Sequence, residues 1–324
     1  MMDHFLGNTS NQTSDLSKQD CSLPLAHGVA LITVNSIVGV FGTIGNLMVC
    51  MAVVKNARLR RSSNYLLFSL AIADLIVTMV CEPLVVGILG KMVFFNDCAA
   101  NLDLPYKILS RLSCSASVVH MAAISVDRFI AVVYPLRYKS IIDSYGLKIL
   151  LITSWALPIT VPILSAVIPA SFPKAFLGLG MFAISYLIVF LSYSLIVISL
   201  VKHRKERIQL RASSSSDANE SRVEIRVAST LAIVIAIFTV SWFPLVATLF
   251  AAGRPLIKNQ GIAHMWIRTL ALSNSAMNFV IYGSRMHNFR EVYAVYGRKI
   301  LGVLRPKCSR TRVYNLPLES ISST

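Results

Sequence analysis

Long apolar segments separated by short polar ones dominate this chain. Seven segments have about 20 or more mostly apolar residues, the length that an α-helix needs to cross the hydrocarbon core of a bilayer. Because their connections are short or polar, the pattern predicts an all-α membrane protein with one compact seven-transmembrane helix bundle. The segments are His27–Val54, Tyr65–Leu89, Leu104–Tyr134, Lys148–Ile168, Ala175–Val201, Val227–Ala252 and Gly261–Ser284.

A shorter helix is predicted after the seventh span. Within His287–Leu304, apolar residues recur at helical spacing between basic ones, which is typical of an amphipathic helix on a membrane surface. Cys308 beyond it is a candidate for palmitoylation, with a free tail thiol as the alternative. The predicted organisation is an extracellular segment at 1–26, the seven-transmembrane domain at 27–286, the surface helix at 287–304 and a cytoplasmic tail at 305–324.

Composition supports a membrane protein. Of the 324 residues, 55% are hydrophobic and 14% are charged, against about 45–50% and 25% in ordinary soluble domains. The first 26 residues lack the basic and then apolar start of a signal peptide. The net charge of +16 is accounted for by basic loops facing an anionic membrane surface, so no nucleic-acid partner is predicted.

The distribution of basic residues predicts the orientation. One alternate set of connections, together with the C-terminus, holds 23 of the 31 Lys and Arg residues, so this side is predicted to be cytoplasmic and the N-terminus extracellular, in the plasma membrane. Asn8 and Asn11 begin glycosylation sequons on the predicted outer side. Cys21 and Cys98 are the cysteines that fall on this oxidising side.

Several motifs occur in order along the spans. They include no metal-ligand spacing, phosphate loop or nucleophile elbow, so an enzyme is the least favoured class of protein. The motifs are Gly45-Asn46, Leu70-Ala-x-Ala-Asp74, Ser117 followed by Asp127-Arg128-Phe129, Trp155, Tyr193, Trp242-x-Pro244 and Asn278-x-x-x-Tyr282.

From about Gly42 to Tyr293 this ordered set resembles the rhodopsin-like (class A) family of G-protein-coupled receptors. The resemblance implies a receptor that converts binding of an extracellular ligand into activation of a heterotrimeric G protein. Arrestin, receptor kinases and membrane lipids are further candidate partners. The alternatives are a constitutively active receptor and a seven-span transporter or channel, although the internal repeats typical of carriers are not found.

The resemblance implies a switch at the inner face. Arg128, paired with Asp127, would also reach Glu224 and hold helices three and six together until helix six moves outward. Arg128 and Leu136 would then form part of the G-protein docking face. The alternatives are a surface salt bridge at Arg128 and, for the aromatic residues, ordinary core packing. The residues that would relay the movement are Tyr193, Trp242, Pro244, Asn278 and Tyr282.

A second constellation would surround a sodium ion in the middle of the membrane. Its members all carry oxygen atoms, as a hard cation requires, and the alternative is a hydrogen-bonded network without an ion. No other metal and no cofactor are predicted. The residues are Asp74, Ser117, Asn274, Ser275 and Asn278.

The chain departs from the family pattern at three helical positions and at one loop. Phe279 and Ser185 stand where the family usually has proline, and Phe129 replaces a tyrosine. A straighter inner end of helix seven is therefore expected. The second outer loop has no cysteine, so we expect either a Cys21–Cys98 disulfide or two free thiols. The short, cysteine-free second outer loop and the missing proline at Ser185 give a partial likeness to the melanocortin branch.

The outer residues narrow the class of ligand. Ser110 stands where amine receptors carry an aspartate, and Leu272 where opsins carry the retinal lysine, so neither ligand is favoured. A peptide, a lipid or a small acidic molecule with its acid on Arg268 or Arg111 is the hypothesis. A Glu82–Arg268 bridge is the alternative. The predicted pocket residues are Glu82, Lys107, Ser110, Arg111, Trp242 and Arg268.

Overall fold

The computed structural model describes residues 23–60, 62–167, 175–210, 232–233, 235–248 and 261–304. The predictions that concern Asn8, Asn11, Cys21, Glu224 and Cys308 lie outside the described residues and stay predictions. The end of the molecule that carries Asp127 and Arg128 is called the inner end, and the opposite end is called the outer end.

The described residues form eight principal helices, with one-turn helices at Ala57–Leu59 and Tyr138–Ile141. Helix α7 has three parts: Ile262–Ser273, a 3₁₀ turn at Asn274–Ala276, and Asn278–Arg285. The other helices are α1 Leu25–Lys55, α2 Ser62–Phe94, α3 Ala100–Val133, α4 Ser144–Val167, α5 Ala175–Leu210, α6 Ile235–Thr248 and α8 His287–Leu304.

The helices agree with the predicted spans. Helices α1, α2, α3 and the Leu177–Lys202 part of α5 are long and apolar enough to cross a membrane, while α4 and α6 contain shorter apolar stretches within the described residues. Large apolar side chains such as Ile152 and Phe190 point away from the core. An apolar outer surface is the arrangement that lipid requires of a spanning bundle.

Helix α3 lies at the centre and packs against α2, α4 and α5. Small residues on its buried face, including Ala116, Ala122 and Ala123, let these neighbours approach closely. Helix α1 packs on α2 and α7. A side chain could not be added at Gly45 of α1 without overlapping the ring of Phe279, so this glycine forms a notch in which an aromatic residue of α7 sits.

Helix α2 contains a wider π turn at Val77–Cys81, closed by a hydrogen bond from the Glu82 N–H to the Val77 carbonyl. The turn precedes Pro83, which cannot donate a backbone hydrogen bond and whose ring crowds the preceding turn. Glu82 follows Asp74 by eight residues, so a regular helix at about 100° per residue would rotate it about 80° away around the axis. The π turn removes most of this angle, and both carboxyl groups are buried in the bundle.

Helix α7 is interrupted even though it lacks the family's proline. The irregularity is the 3₁₀ turn at Asn274–Ala276, whereas the inner part, Asn278–Arg285, is regular α-helix, so the expectation of a straighter inner end stays a prediction. The physical reason for the 3₁₀ turn lies in α1. Asn46 Nδ2 donates to the Ser275 carbonyl at 2.9 Å and so satisfies an acceptor within this turn, while Phe279 packs into the Gly45 notch and against Phe41.

Helix α8 occupies the predicted range, His287–Leu304. It follows a break at Met286, where the backbone is extended. Phe289 is fully buried and contacts the ring of Tyr282, with 6.0 Å between the ring centroids. The apolar face of α8 is thus anchored on the inner end of α7, beside the predicted switch residues.

Candidate functional site

The inner end of α3 holds the Asp127–Arg128 pair. Arg128 Nε donates to Asp127 Oδ2 at 2.9 Å, and the terminal Nη2 contacts the same oxygen. The other carboxylate oxygen accepts a hydrogen bond from the Tyr138 hydroxyl at 2.9 Å. Burial, together with the neighbouring Asp127, raises the pKa of Tyr138 well above its ordinary value. Tyr138 therefore stays protonated and acts as the donor.

Two of the predicted relay residues are tyrosines with buried hydroxyl groups. The hydroxyls of Tyr193 on α5 and Tyr282 on α7 are buried, and neither has a hydrogen-bond partner among the described residues. Tyr193 lies close enough to Arg128 to interact with it electrostatically. Leu136, in the connection after α3, is 98% exposed. The predicted lock partner Glu224 lies outside the described residues.

The predicted mid-membrane cluster forms around Asp74, which is fully buried. Asn278 Nδ2 donates to Asp74 Oδ2 at 2.7 Å, and the Ser117 hydroxyl lies 3.5 Å from Oδ1. The Ser275 side chain also interacts with this carboxyl group. Asn274 is buried in the same 3₁₀ turn as Ser275, but no hydrogen bond within the described part joins it to Asp74. Four of the five predicted residues are thus brought together.

An aromatic stack links α5 and α6. The rings of Phe238 and Trp242 on α6 lie 5.7 Å apart, nearly parallel, and Phe182 of α5 packs against both. The Tyr186 hydroxyl contacts the Thr239 hydroxyl across the same pair of helices. A movement of α6 at Trp242 therefore changes its packing against α5.

The outer pocket brings Glu82, Tyr106 and Arg268 together from α2, α3 and α7. The Arg268 guanidinium lies over the Tyr106 ring, with its central carbon 3.6 Å from the ring centroid. Both Glu82 oxygens, and Nε and one terminal nitrogen of Arg268, are buried without hydrogen-bond partners among the described residues. The alternative Glu82–Arg268 bridge is not formed within 4.0 Å, although the two groups interact at longer range.

The remaining predicted pocket residues lie at the edge of this centre. Lys107 pairs with Asp103 one turn away on α3, and Arg111 is exposed. Ser110 is half-buried, and its hydroxyl donates to the Lys107 carbonyl at 3.4 Å. Trp242 belongs to the aromatic stack, and its indole nitrogen is buried without a partner in the described part of the chain.

Comparison with known proteins identifies the family. The sequence profile of the family described as "7 transmembrane receptor (rhodopsin family)" matches residues 45–175 and 170–282. The chain belongs to this family. The receptor is therefore a multi-pass membrane protein that signals through G proteins in response to an extracellular ligand, and it is not an enzyme. This membership sets aside the transporter or channel alternative.

The receptor is distantly similar to curated relatives with different ligands. It is 24% identical over 337 residues to the chicken (Gallus gallus) adenosine receptor A2b, covering 90% of this chain and 96% of that one. It is 26% identical to the human adenosine receptor A2a, covering 86% and 74%. It is 28% identical to the dog (Canis lupus familiaris) histamine H2 receptor, covering 77% and 74%.

The fold is shared with a solved receptor. The crystal structure of squid rhodopsin aligns with a TM-score of 0.73 at 20% identity, over 89% of this chain and 90% of that one. This likeness confirms the predicted seven-helix bundle.

Three residues of the receptor make contacts that the sequence did not predict. Tyr106 was missed because its partner Arg268 lies on another helix. Tyr138 was missed because a turn of the chain separates it from its partner Asp127. His120 is the third: its Nε2 lies 2.8 Å from the Ser69 hydroxyl, which accepts a hydrogen bond from Trp155 Nε1 at 2.9 Å. A buried histidine in an otherwise uncharged stretch of α3 was the available signal.

The cysteines of the receptor fall into two groups. Cys98 is disulfide-bonded, and its partner lies outside the described residues. Cys50, Cys81 and Cys114 are free thiols within the helices. The predicted pairing of Cys98 with Cys21 stays a prediction.

Proposed function

We propose that the receptor is held in its resting state by the Asp127–Arg128 pair and is activated when α6 moves outward at the inner end. The observation that carries the proposal is the engagement of Arg128 by Asp127, which Tyr138 orients from the next connection. A guanidinium released from this pair becomes available to a G protein. Ligand binding would shift the balance between the two states.

The aromatic stack supports α6 as the moving element. Phe238 and Trp242 lie on one face of α6 and contact Phe182 of α5, below the outer pocket. A ligand that displaces Trp242 would change the packing between α5 and α6. The predicted contact between Arg128 and Glu224 would then break at the inner end of the same helix.

The experiment measures ligand-free nucleotide exchange on G proteins in membranes that contain equal amounts of each variant. Asp127→Asn should raise this output about tenfold or more, since it removes the charge that holds Arg128. Arg128→Ala should abolish it. Unchanged output in both variants would contradict the proposed switch.

The ligand is proposed to carry an acidic group that Arg268 binds. Arg268 has hydrogen-bonding capacity left at two buried nitrogens, whereas Lys107 is already paired with Asp103. Arg268→Ala should lower agonist potency, with Lys91→Gln at the outer end of α2 as a control that removes a distant cation. An Arg268→Ala receptor with normal potency would remove this hypothesis.

High ligand-free output is the second candidate behaviour. It is favoured by the interrupted α7, in which Phe279 is seated in the Gly45 notch and the 3₁₀ turn is stabilised from α1. The same nucleotide-exchange measurement separates the candidates. A constitutive receptor would give near-maximal output in the wild type and little change with Asp127→Asn.

A sodium ion is proposed at Asp74. The residues fit this ion, because a buried carboxylate and two serine hydroxyls offer oxygen ligands and no soft ones, while Asn278 contacts the carboxylate through its amide nitrogen. A bound ion would hold these groups in the resting arrangement. Replacing sodium with choline should raise ligand-free output in the wild type and leave Asp74→Asn unaffected. Equal responses in both proteins would contradict the ion.

The orientation is proposed to be N-terminus outside and C-terminus inside. The basic residues concentrated on one side support it. Glycosidase treatment should shift the mobility of the wild type but not of a variant with Asn8→Gln and Asn11→Gln. An unshifted wild-type band would contradict glycosylation at these sequons.

A further inference from the structure

The outer pocket contains a carboxylate without a partner. Glu82 is 1% exposed, and neither of its oxygens accepts a hydrogen bond from any described residue. Arg268 interacts with Glu82 electrostatically but forms no ion pair with it within 4.0 Å. A buried carboxylate that lacks partners is strongly unfavourable, so this position is built for a donor that the described residues do not supply.

The same pocket contains a guanidinium with free hydrogen-bonding capacity. Arg268 lies over the Tyr106 ring, and this contact holds the guanidinium in the pocket without using its N–H donors at Nε and one terminal nitrogen. Its Nε and one terminal nitrogen have no acceptor among the described residues. A planar fork of this kind matches a carboxylate, a phosphate or a sulfate.

The two groups differ in depth. Asp74 and Asn278 are hydrogen-bonded and so lie at the same level. Glu82 is eight residues outward of Asp74, about 12 Å, and Arg268 is ten residues outward of Asn278, about 15 Å. Arg268 also keeps partial exposure, whereas Glu82 has almost none. The cation-binding position is therefore the deeper one.

We propose that the ligand of this receptor is a small zwitterion of the amino-acid type. It enters with its ammonium group first, binds Glu82 with that group, and leaves its acid on Arg268 nearer the outer end. This inference rests on the proposed receptor function and sharpens its acidic ligand into one that must carry both charges. Tyr106 positions Arg268 and bears no charge itself.

The direct bridge between Glu82 and Arg268 is the competing explanation. It predicts that the two residues stabilise the packing of the helices and have no effect on ligand selectivity. The zwitterion site predicts discrimination in the wild type, which can be measured without any mutation. The two explanations therefore differ in ligand chemistry rather than in protein stability alone.

The test uses purified full-length receptor and membranes with matched G protein. The probes are amino acids of increasing chain length between the two charges, each with its N-acetyl and its carboxamide derivative. Binding is measured as the shift in thermal unfolding, and coupling as nucleotide exchange. At least one zwitterion should bind, and loss of either charge should weaken binding roughly 10- to 100-fold.

The variants assign each charge to its residue. The Glu82→Gln receptor should bind the zwitterion no more tightly than it binds the N-acetyl derivative. The Arg268→Gln receptor should bind the zwitterion no more tightly than it binds the carboxamide. Lys91→Gln, which removes a cation paired with Asp97, is the control and should keep wild-type selectivity. N-acetyl derivatives that bind the wild type as well as their parents overturn the proposal, as does a series in which no compound binds.

The two readouts keep this inference apart from the receptor proposal. Selective binding together with nucleotide exchange that neither Asp127→Asn nor Arg128→Ala changes supports the zwitterion site and contradicts the proposed switch. Nucleotide exchange that responds to Asp127→Asn but to no probe, with no probe bound, supports the switch and overturns the zwitterion.

Discussion

At the scale of single residues, Gly45 and Phe279 depend on each other. A side chain at position 45 would overlap the Phe279 ring, so Gly45→Ala should destabilise the receptor by about 1–3 kcal/mol through overpacking. Thermal unfolding of detergent-purified protein measures the effect. Gly45→Ala should destabilise a receptor that already carries Phe279→Ala less than it destabilises the wild type.

Gly90 provides the control for this substitution. It lies in α2, and an added side chain would meet nothing within 4 Å. Gly90→Ala should leave the unfolding temperature unchanged or raise it slightly, since alanine favours helix more than glycine does. Equal losses at both glycines would mean that the notch is not the cause.

Tyr138 is the second residue whose role rests on one contact. Removing its hydroxyl with Tyr138→Phe deletes the 2.9 Å hydrogen bond to Asp127, a bond to a charged group that contributes about 1.5–3 kcal/mol. We expect ligand-free nucleotide exchange to rise several-fold, because Asp127 is less firmly placed to hold Arg128. Tyr134→Phe is the matched control, as Tyr134 is exposed and only its ring contacts Phe129.

At the scale of elements, the π turn of α2 decides where Glu82 faces. Deleting Met79, which points outward, should restore a regular helix with Glu82 still inside, so folding and ligand selectivity should survive. Inserting an alanine after Met79 should rotate the outer half of α2 by about 100° and expose Val85 and Ile88. Cell-surface expression and thermal unfolding distinguish the two, and equal tolerance would contradict the turn's role.

The elements also show what sequence reasoning could and could not reach. The spans were predictable because apolar length determines them, whereas the Asp74 cluster, whose members lie on distant helices, was expected only from the family resemblance. The break in α7 was not predictable, since Asn46 lies 229 residues from the carbonyl that it satisfies. The long-range hydrogen bond of Trp155 to Ser69, across 86 residues, was hidden for the same reason. Contacts between distant helices leave no periodic signal in the chain.

At the scale of the whole molecule, the disulfide of Cys98 ties the outer end of α3 to a segment outside the described residues. If Cys21 is the partner, non-reduced digests should yield one linked peptide, and Cys21→Ser and Cys98→Ser should lower stability alike, by about 2–4 kcal/mol. Mass spectrometry decides the pairing. Unlinked Cys21 peptides would contradict it, and Cys50→Ser is the control for loss of an unpaired thiol.

The bonds between Trp155, Ser69 and His120 can run in only one direction. His120 Nδ1 lies 2.7 Å from the Ala116 carbonyl, which only accepts, so the ring's single proton sits on Nδ1 and Nε2 must accept from Ser69. Ser69 in turn accepts from Trp155. The α4 indole is therefore the starting donor and an α3 backbone oxygen the final acceptor. ¹⁵N NMR of labelled His120 should report this Nδ1–H tautomer at neutral pH, and an Nε2–H signal would contradict it, because Nδ1 would then have no proton to donate to the Ala116 carbonyl.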